Sequence, residues 1–430
     1  MKSDITIIGA GILGTSLAYF LSCTTTKKIL VLDNAPRAGY HTSSRNTGKV
    51  HAPFLYDPQK KKLFAKSAKL GFEMWQDYSK QKNLVFKKDG VLEVALDEPG
   101  IKRLEKYMSW GEQNGLQKDE ISLLDSSEVK KLEPEVRCQK AIFCKKDASV
   151  DYGTLTENVM QDAINNGTIF LPNTSAKNIS DKHDHMDIQT NNGTVQTNFL
   201  INAAGGMSID IAHAMKVRED LTDIHFRGEY WQAEPEYYTL TKTSVYSVPK
   251  HPEYPFLDPH WIVRSDGRRE VGPNAVPVFS PYGYNMSENM KNMIPKILEM
   301  LSSGASKMIF DSQFLSLASG EFLSSISKTV MINRVKEFLP KVEPKKFKKR
   351  GTAGIRASVI DKNGKFVPDA ILEQEKNSFH ILNYNSPGAT GALPFAVHVI
   401  SKMKDAGLVN IQNDKCGMWS FKEISDSILG

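Results

Sequence analysis

A glycine-rich turn near the amino terminus constrains the fold of this chain more than any other segment. An apolar, strand-like run precedes three glycines spaced as G-x-G-x-x-G, a helical segment follows them, and a second apolar run then ends in an acidic residue. In chain order these are residues 5–8, Gly9, Gly11, Gly14, residues 15–22, residues 29–32 and Asp33. This succession over about 30 residues predicts a dinucleotide-binding βαβ unit.

Each position of the motif has a physical role in holding a dinucleotide. Gly9 makes the tight turn, Gly11 lets the backbone approach a pyrophosphate, and Gly14 lets the helix pack closely on the strand. The amino terminus of the helix holds the phosphates, and Asp33 accepts hydrogen bonds from the ribose hydroxyls. The same apolar run resembles a signal peptide, but the three glycines interrupt it and argue against that interpretation.

Length and composition indicate a globular protein with more than one domain. With 430 residues and roughly 100–200 residues per domain, we expect two or three domains. A hydrophobic content of 40% and a charged content of 24% exclude disorder and coiled coil. The net charge of +6 comes without a basic stripe interleaved with aromatic residues, so we expect no nucleic acid partner. The four cysteines lack C-x-x-C spacing and are expected to be free thiols in a reducing cytosol.

The rest of the chain alternates between two kinds of pattern. Residues 199–206 form an apolar run ending in small residues, which predicts a further parallel strand of the dinucleotide domain. Residues 225–280 are β-rich with Pro and Tyr, which predicts a separate antiparallel sheet. A helix is expected over 391–400, with Ser386 as its cap and Pro387 in its first turn. The predicted fold class is α/β, α+β overall, with an antiparallel-sheet substrate domain inserted into a Rossmann-like domain.

Eight segments beyond the glycine motif match one known family in order. They are Asn46-Thr47-Gly48-Lys49-Val50-His51, Val150-Asp151-Tyr152, Phe226-Arg227-Gly228-Glu229-Tyr230, Tyr246-Ser247-Val248-Pro249, Tyr254-Pro255-Phe256-Leu257, Gly272-Pro273-Asn274-Ala275, Ala353-Gly354-Ile355-Arg356-Ala357 and Asn385-Ser386-Pro387-Gly388-Ala389-Thr390. With them the chain resembles FAD-dependent oxidoreductases of the D-amino-acid oxidase and glycerol-3-phosphate dehydrogenase superfamily. Within it, the chain resembles most closely the L-2-hydroxyglutarate dehydrogenase (oxidase) family.

The resemblance implies a discontinuous FAD-binding domain and a cofactor held without a covalent bond. The FAD-binding domain would comprise residues 1–84, 150–218 and 350–405, the substrate domain residues 85–149 and 219–349, and a carboxyl-terminal tail residues 406–430. The residues expected to bind the cofactor are Gly9, Gly11, Gly14, Asp33, Ser44, Arg45, Asn46, Gly48, Ala204, Gly205, Gly354, Ser386, Pro387, Gly388, Ala389 and Thr390.

The implied reaction is oxidation of an L-2-hydroxy acid, with L-2-hydroxyglutarate as the first candidate. Besides a hydride acceptor, this chemistry needs a base for the hydroxyl proton and a cation for the carboxylate. We expect His51 to be the base and Arg356 to grip the carboxylate with two parallel hydrogen bonds. The competitors are His41, His225 and His260 for the base, and Arg45, Arg227 and Arg264 for the cation. Further substrate candidates are Tyr230, Tyr246, Arg264 and Asn274.

Three departures from the family pattern leave the substrate open. They are Ala52-Pro53-Phe54-Leu55-Tyr56, Ser44-Arg45 and Ile262-Val263. Malate, glycerol 3-phosphate or an amino acid therefore remain alternative substrates. A non-catalytic dinucleotide-binding module remains the alternative from a different functional class.

The remaining motifs concern metals and membranes. No metal site is expected, because His183-Asp184-His185 lies in a polar loop without further ligands. No segment approaches the ~20 apolar residues needed to span a bilayer, so we expect a cytoplasmic protein with at most peripheral contact on the inner face of the membrane. The basic run at 345–350 could contact anionic lipid, which would suit a membrane quinone as electron acceptor, with oxygen as the alternative.

Overall fold

The computed structural model describes residues 1–251, 254, 258–291 and 293–429. Of the segment Tyr254-Pro255-Phe256-Leu257, which contributes to the family resemblance, only Tyr254 lies within the described residues. The strands are β1 (Lys2–Ile8), β2 (Ile29–Leu32), β3 (Lys49–Val50), β4 (Val91–Ala95), β5 (Ile121–Asp125), β6 (Lys140–Cys144), β7 (Ala148–Ser149), β8 (Ile169–Leu171), β9 (Ala176–Asp181), β10 (Met186–Thr190), β11 (Gly193–Asn202), β12 (Thr222–Gly228), β13 (Trp231–Ala233), β14 (Ser244–Ser247), β15 (His260–Val263), β16 (Arg269–Gly272), β17 (Val276–Val278), β18 (Phe347–Arg350), β19 (Gly354–Ile360), β20 (Ile371–Gln374), β21 (Ser378–Leu382), β22 (Lys415–Cys416) and β23 (Trp419–Ser420).

The helices lie between these strands in both halves of the chain. They are α1 (Ile12–Thr24), α2 (Lys62–Lys82), α3 (Glu98–Gln113), α4 (Ser126–Leu132), α5 (Tyr152–Asn165), α6 (Ser208–Ala214), α7 (Met286–Lys291), α8 (Met293–Ser302), α9 (Ser306–Ile309), α10 (Ser312–Ile326), α11 (Lys328–Lys336), α12 (Gly388–Asp405) and α13 (Phe421–Leu429). Within the described ranges, no helix combines the length and the apolar character that crossing a bilayer requires.

The first sheet contains the glycine motif and has the strand order β20-β21-β11-β1-β2-β8. Strand β1 pairs in parallel with both β2 and β11, which confirms the predicted parallel strand at 199–206. Alternate residues of β2 enter different apolar clusters on the two faces, Val31 with α1 and α5, and Leu30 with Ile188 of β10. This two-sided burial explains why β2 is an uninterrupted apolar run.

The second sheet has the strand order β18-β13-β16-β15-β14-β4-β6-β5. Its pairs are antiparallel, as predicted, except that β14 runs parallel to β4. The prediction is wrong at that pair because β4 and β14 come from two distant stretches of chain. No hairpin imposes an antiparallel direction where those stretches meet.

The third sheet is small, with the order β17-β12-β19. Strand β12 pairs antiparallel with β19 along its full length, from Thr222 opposite Ile360 to Gly228 opposite Gly354. The predicted boundary at residue 350 assigns β12 and β19 to different domains, whereas their hydrogen bonds join them in one sheet. This sheet therefore connects the cofactor-binding part of the chain to the inserted part.

Helix α12 begins earlier than its apolar pattern predicts, and its cap differs. Pro387 is the N-cap residue, Gly388 is the first helical residue, and no side chain caps this end. The predicted capping role of Ser386 and first-turn position of Pro387 are therefore wrong. The extra turn is possible because Gly391 packs against α2, where a Cβ would lie 2.6 Å from Ser67. A pattern of large apolar residues cannot reveal a helical turn made of small ones.

Candidate active site

Two adjoining cavities lie at the carboxyl ends of β1, β2 and β11. The first, near the glycine motif, has a volume of about 340 Å³, and the second, near the start of α12, about 260 Å³. Gly11, Ser43, Ala203 and Gly205 line both of them, so the cavities form one continuous groove. A groove at the carboxyl ends of parallel strands is the position at which such sheets bind ligands.

The three motif glycines serve different purposes in the structure. Gly9 has a φ of 109°, and a Cβ there would lie 2.4 Å from the carbonyl oxygen of Ala203. A Cβ at Gly14 would lie 1.9 Å from the oxygen of Gly9. A Cβ at Gly11 would meet only the Oγ of Ser43, at 3.4 Å, because this glycine faces the groove. Gly9 and Gly14 are thus needed for packing, and Gly11 keeps space for a ligand.

The first cavity fits the adenosine and pyrophosphate part of a dinucleotide. Helix α1 begins there without a side chain of its own as cap and without an acidic residue in its first turn. The Asp33 carboxylate accepts hydrogen bonds from the backbone N–H groups of Ala10 at 2.7 Å and Ala35 at 2.8 Å, which fixes it at the cavity wall. Ala204 and Gly205 line the same cavity. The Ile12 N–H already donates to Ser43 Oγ at 3.0 Å, and the next amides of this helix start, together with the fixed carboxylate, suit phosphate and ribose.

The second cavity contains the start of α12, where Ser386 to Thr390 all line the wall. This helix start also has no side-chain cap and no acidic residue in its first turn. Trp75 holds it in place by donating from Nε1 to the carbonyl oxygens of Ala389 and Thr390, both at 3.0 Å. The positive end of the helix dipole is therefore available to an electron-rich group in the cavity.

The polar loop before β3 contributes less to the groove than its sequence predicts. Arg45 and Asn46 line the second cavity, and so does Gly354, whose Cα hydrogens leave room for the Arg45 carbonyl. Ser44 and Gly48 line neither cavity. Ser44 instead donates to the carbonyl oxygen of Tyr40 at 3.0 Å. This hydrogen bond stabilises the loop and does not point into the groove.

His51 lies in the second cavity beside a buried ionic cluster that the sequence did not predict. Its Nδ1 lies 3.4 Å from Oδ2 of Asp147, whose side chain is 1% exposed. Lys49 Nζ, fully buried, donates to Asp89 at 3.1 Å and to Ser149 at 2.6 Å. Burial lowers the pKa of Lys49 and raises the pKa of Asp89. Lys49 belongs to a family-matching segment, but Asp147 follows two lysines and looks solvent-exposed in the sequence.

The other candidate bases are not placed for the same role. His41 lines the first cavity, and the Nε2 of His225 lies 3.0 Å from the carbonyl oxygen of Gly206. His260 stacks on Tyr246 with ring centroids 4.0 Å apart, and burial lowers its pKa to about 3. Neither His260 nor Tyr246 lines the groove in the part of the chain that the structure describes.

Arg356 lines the second cavity as a partly buried cation without a counter-ion. Its guanidinium lies over the ring of Phe226, 5.9 Å from the centroid. Its Nη2 has no hydrogen-bond partner, and no carboxylate of the described residues lies within 4.0 Å of it. Burial lowers the pKa of Arg356 to about 10. A desolvated guanidinium with an unused N–H group is suited to an anionic ligand.

The remaining arginine candidates and Asn274 are already engaged within the protein. Arg227 pairs with Glu229 at 3.1 Å, and Arg264 donates from Nε to Glu270 at 2.7 Å. The Asn274 side chain lines the cavity but is hydrogen-bonded to Glu229 and Ser324. Arg45 donates to backbone carbonyls, and its guanidinium lies 4.4 Å from the Tyr284 ring centroid. Of the substrate candidates, Tyr230 also lines the second cavity, whereas Arg264 and Tyr246 do not.

Neither a metal nor a cysteine contributes to the groove. Within the described ranges, no group of three His, Cys, Asp or Glu side chains could hold a metal ion. The four cysteines are free, and none of them lines either cavity. A dinucleotide site with a candidate base and an unpaired cation defines an oxidoreductase that depends on a nucleotide cofactor.

Comparison with known proteins identifies that class more closely. The chain belongs to the FAD dependent oxidoreductase (DAO) family, which matches residues 4–401. It is 30% identical over 396 residues to L-2-hydroxyglutarate dehydrogenase of Indibacter alkaliphilus, covering 91% of this chain and 96% of that protein. It is 29% identical over 413 residues to the mitochondrial L-2-hydroxyglutarate dehydrogenase of Caenorhabditis elegans, covering 93% of each.

Solved structures show the same fold. The L-alpha-glycerophosphate oxidase of Mycoplasma pneumoniae with FAD bound has a TM-score of 0.74 at 19% identity and covers 98% of each chain. The glycine oxidase of Geobacillus kaustophilus has a TM-score of 0.70 at 13% identity, covering 96% of this chain and 99% of that one. FAD is therefore the cofactor of this protein. The starts of α1 and α12, joined by one groove, fit its pyrophosphate and its flavin.

Proposed function

We propose that the protein oxidises L-2-hydroxyglutarate to 2-oxoglutarate. The observation that carries this proposal is Arg356, a partly buried side chain whose buried Nη2 has no hydrogen-bond partner, in the cavity that also contains His51. The relatives named L-2-hydroxyglutarate dehydrogenase, which align over at least 91% of this chain, support the same substrate. FAD supplies the hydride acceptor when it is bound.

Arg356 binds the carboxylate next to the reacting carbon. The planar guanidinium fork matches the two carboxylate oxygens and can donate two parallel hydrogen bonds to them. The contact also fixes the orientation of the hydroxyl-bearing carbon toward the rest of the cavity.

His51 takes the hydroxyl proton. Asp147 faces the Nδ1 of His51, so the Nε2 atom is the nitrogen that remains for the substrate. The buried carboxylate orients the ring and stabilises the imidazolium that proton transfer creates. Lys49 lies between two carboxylates, 3.1 Å from Asp89 and 4.0 Å from Asp147, so it balances part of their charge, and Asp147 is the one of the two that faces His51.

A second cation near Arg356 favours a dicarboxylate over a monocarboxylate. Lys61 is the N-cap residue of α2. Burial, and then the neighbouring Arg356 cation, lower the pKa of the Lys61 amine, while Asp369 and Asp57 partly offset this. Lys61 lines neither cavity, so only a ligand that extends beyond the groove can reach it, and the second carboxylate of 2-hydroxyglutarate is the group that we propose it binds.

We assign the protein to the cytoplasm, with peripheral membrane contact at most. For reoxidation of the cofactor we favour a membrane quinone, with oxygen as the alternative acceptor. Gly11, Ser43 and Ala204 hold the cofactor without a covalent bond, since none of the cysteines lines the groove.

The test is anaerobic flavin bleaching with a panel of substrates. Purified holoenzyme is mixed with L-2-hydroxyglutarate, malate, lactate, glycerol 3-phosphate or an amino acid, and the visible flavin band is followed. We expect L-2-hydroxyglutarate to bleach it fastest. Bleaching by glycerol 3-phosphate or an amino acid alone would replace the substrate class, and no bleaching by any compound would favour a non-catalytic module.

A further inference from the structure

Two of the four free cysteines meet where the carboxyl-terminal tail packs against helix α1. Cys23 lies in the last turn of α1, and Cys416 lies in β22 of the tail. Cys416 is fully buried in the same apolar cluster as the core side of α1, and Cys23 packs against that cluster. The two thiols are hydrogen-bonded to each other, although they come from opposite ends of the chain.

Hydrogen bonds of the tail fix this meeting point. The Asn413 side chain donates from Nδ2 to the carbonyl oxygen of Cys23 at 3.2 Å and to that of Lys415 at 3.0 Å. Lys415 is the residue before the second cysteine, so one amide group holds both cysteine-bearing segments. The backbone N–H of Gln412 donates to the carbonyl oxygen of Thr24 at 2.8 Å. The tail is therefore attached directly to the end of α1.

Tyr19 places its hydroxyl beside both cysteines. It lies four residues before Cys23, one turn earlier on α1, and its hydroxyl is hydrogen-bonded to the Cys23 sulfur. The same hydroxyl lies next to Gly417, where a Cβ would be 2.6 Å away. Gly417 follows Cys416, so the missing side chain allows the tail to come this close to α1.

The surroundings of the two sulfur atoms give them different reactivity. Cys23 is half-buried, and its sulfur accepts a hydrogen bond from the exposed Asn166 side chain at 3.1 Å. The hydrogen bond from Cys416 is the main cause that lowers the pKa of Cys23, and burial opposes it only in part. The same bond, and then burial, raise the pKa of Cys416. Cys23 is therefore the accessible thiolate, and Cys416 is the buried thiol behind it.

We propose that Cys23 and Cys416 form an oxidation site at which a hydroperoxide closes a disulfide bond. A half-exposed thiolate in contact with a second thiol is the arrangement that oxidant-sensing cysteines share. Disulfides of cytosolic proteins are mostly of this transient, oxidant-dependent kind. The site depends neither on the substrate nor on the catalytic residues, so it stands or falls separately from the proposed reaction.

The reaction needs only the two thiols and one peroxide. The Cys23 thiolate attacks one oxygen of hydrogen peroxide, the O–O bond breaks, and Cys23 becomes a sulfenic acid. The hydroxide that leaves takes the proton released by the Cys23 thiol and becomes water. The Cys416 sulfur then attacks the Cys23 sulfur, the S–O bond breaks, and the S–S bond forms. The second hydroxide takes the Cys416 proton, so two thiols are oxidised while the peroxide is reduced to two molecules of water.

The disulfide would join the tail to the helix that begins at the glycine motif. Helix α13 of the tail packs against α12 and α2, so the bond would also restrain the helices that this tail covers. It closes a loop that contains most of the chain, which restricts the unfolded state. Oxidation should therefore raise the melting temperature of the protein.

The other two cysteines are an internal reference. Burial raises the pKa of Cys138 to about 11 and the pKa of Cys144 to about 12. Both are therefore poor nucleophiles at neutral pH. We expect both thiols to survive the treatment that oxidises Cys23 and Cys416.

The test is treatment of the purified holoenzyme with hydrogen peroxide, without substrate and without a thiol reductant. The thiols detected by Ellman's reagent after denaturation should fall from four to two, and dithiothreitol should restore them. A peptide map of the non-reduced protein should join the Cys23 peptide to the Cys416 peptide. The oxidised protein should remain a monomer on a non-reducing denaturing gel and should melt at a higher temperature than the reduced protein.

Serine variants distinguish the roles of the two thiols. In Cys416→Ser, Cys23 should accumulate as a sulfenic acid that dimedone traps, at least about tenfold faster than Cys138 reacts. Oxidation should no longer raise the melting temperature of this variant. Cys144→Ser is the matched control, because it also removes a buried thiol but should still form the disulfide.

The wild-type peptide map decides the outcome even where a variant does not fold. Survival of all four thiols, under conditions that fully oxidise glutathione in a parallel sample, would overturn the proposal. So would a disulfide that includes Cys138 or Cys144, or one that joins two molecules. Sulfinic or sulfonic acid on Cys23 without a bond to Cys416 would equally overturn it, since the second thiol would then not be in reach.

Discussion

The Nδ1 of His51 lies 3.4 Å from Oδ2 of Asp147, and the Asp147 side chain is 1% exposed. The two groups face each other inside the protein, although no hydrogen bond joins the Nδ1 of His51 to the carboxylate. This contact supports our proposal that His51, rather than another histidine of the groove, accepts the proton.

We expect His51→Ala to slow flavin reduction by about 10²–10⁴-fold, the range that a general base supplies, with a smaller effect on substrate affinity. Asp147 is a positioning residue, so Asp147→Asn should lower kcat by a smaller factor and leave KM and flavin content nearly unchanged. Stopped-flow reduction under anaerobic conditions measures both. Asp184→Asn, in an exposed loop, is the control. Near-native reduction by His51→Ala would move the proton acceptor to another group.

Substitutions at Gly11 and Gly9 should have different effects, the first on FAD binding and the second on folding. Gly11→Val places methyl groups in the groove and should yield folded protein with little FAD, because the backbone can no longer approach the pyrophosphate. Gly9→Ala should instead destabilise the fold, since its Cβ would lie 2.4 Å from the Ala203 oxygen at a φ of 109°. Circular dichroism and the visible flavin spectrum distinguish the two outcomes.

The wild type provides the test of how the flavin is held. Heat-denatured wild-type protein should release its flavin into the supernatant, as expected for a cofactor without a covalent bond. Flavin that stays in the pellet would contradict this. A Gly11→Val protein that keeps its colour would show that Gly11 does not face the pyrophosphate.

The glycine motif could be recognised in the sequence because its parts are contiguous. Strand, turn, helix and acid follow one another, so local pattern is sufficient for the predicted fold of this region. The His51 environment is different, because Lys49, Asp89 and Asp147 come from separate segments that only the folded chain brings together. A carboxylate beside lysines looks solvent-exposed in a sequence, and its burial depends on contacts that the sequence does not display.

The ion pairs of the arginines are a second feature that local sequence pattern does not reveal. The sequence puts Arg356 ahead of Arg227 and Arg264 only through the segment that it occupies, because local pattern does not show which arginines have carboxylate partners. The structure does, because Arg227 and Arg264 have carboxylate partners and Arg356 has none within the described ranges. The parallel pairing of β4 and β14 could not be predicted either, because local sequence pattern does not show which distant strands become neighbours.

Arg356 should be required for binding the substrate carboxylate. We expect Arg356→Ala to weaken binding by about 2–5 kcal/mol, since the carboxylate would lose a charge-assisted pair in a buried site. Arg356→Lys should recover only part of this, because an ammonium cannot form the planar two-pronged contact. KM values and the dissociation constant from flavin spectral titration measure the loss, with FAD content as the control. An Arg356→Ala protein that oxidises the substrate normally, or that loses FAD, would contradict the assignment.

Lys61 should distinguish a dicarboxylate from a monocarboxylate. Lys61→Met should raise KM for 2-hydroxyglutarate by about tenfold, the loss of one charge-assisted hydrogen bond at a partly exposed site, and leave KM for lactate nearly unchanged. Lys62→Met, one residue further along at an exposed position, is the matched control. An equal effect on both substrates would show that Lys61 does not contact the second carboxylate.

Three buried histidines should make the protein acid-labile. Burial lowers the pKa of His260 to about 3 and the pKa values of His380 and His398 to about 4, against about 6.5 for an unperturbed histidine. Between about pH 4 and pH 6.5 the folded state therefore binds fewer protons than the unfolded state. The neutral rings therefore contribute fully to the free energy of unfolding above pH 6.5. This contribution is lost as the pH falls toward 4, by up to about 3 kcal/mol each for His380 and His398.

His398 offers the cleanest test, because it lies on α12 next to Phe395, and its Nδ1 has no hydrogen-bond partner. His398→Leu removes one of the groups that must be protonated on unfolding, so its melting temperature with excess FAD should fall less than that of the wild type between pH 6.5 and pH 4.5. His183→Asn is the control, since His183 is exposed and asparagine tolerates its φ of 77°. Parallel decreases in wild type and His398→Leu would show that the ring of His398 takes up no proton on unfolding, and the acid sensitivity would then have to come from His260 and His380.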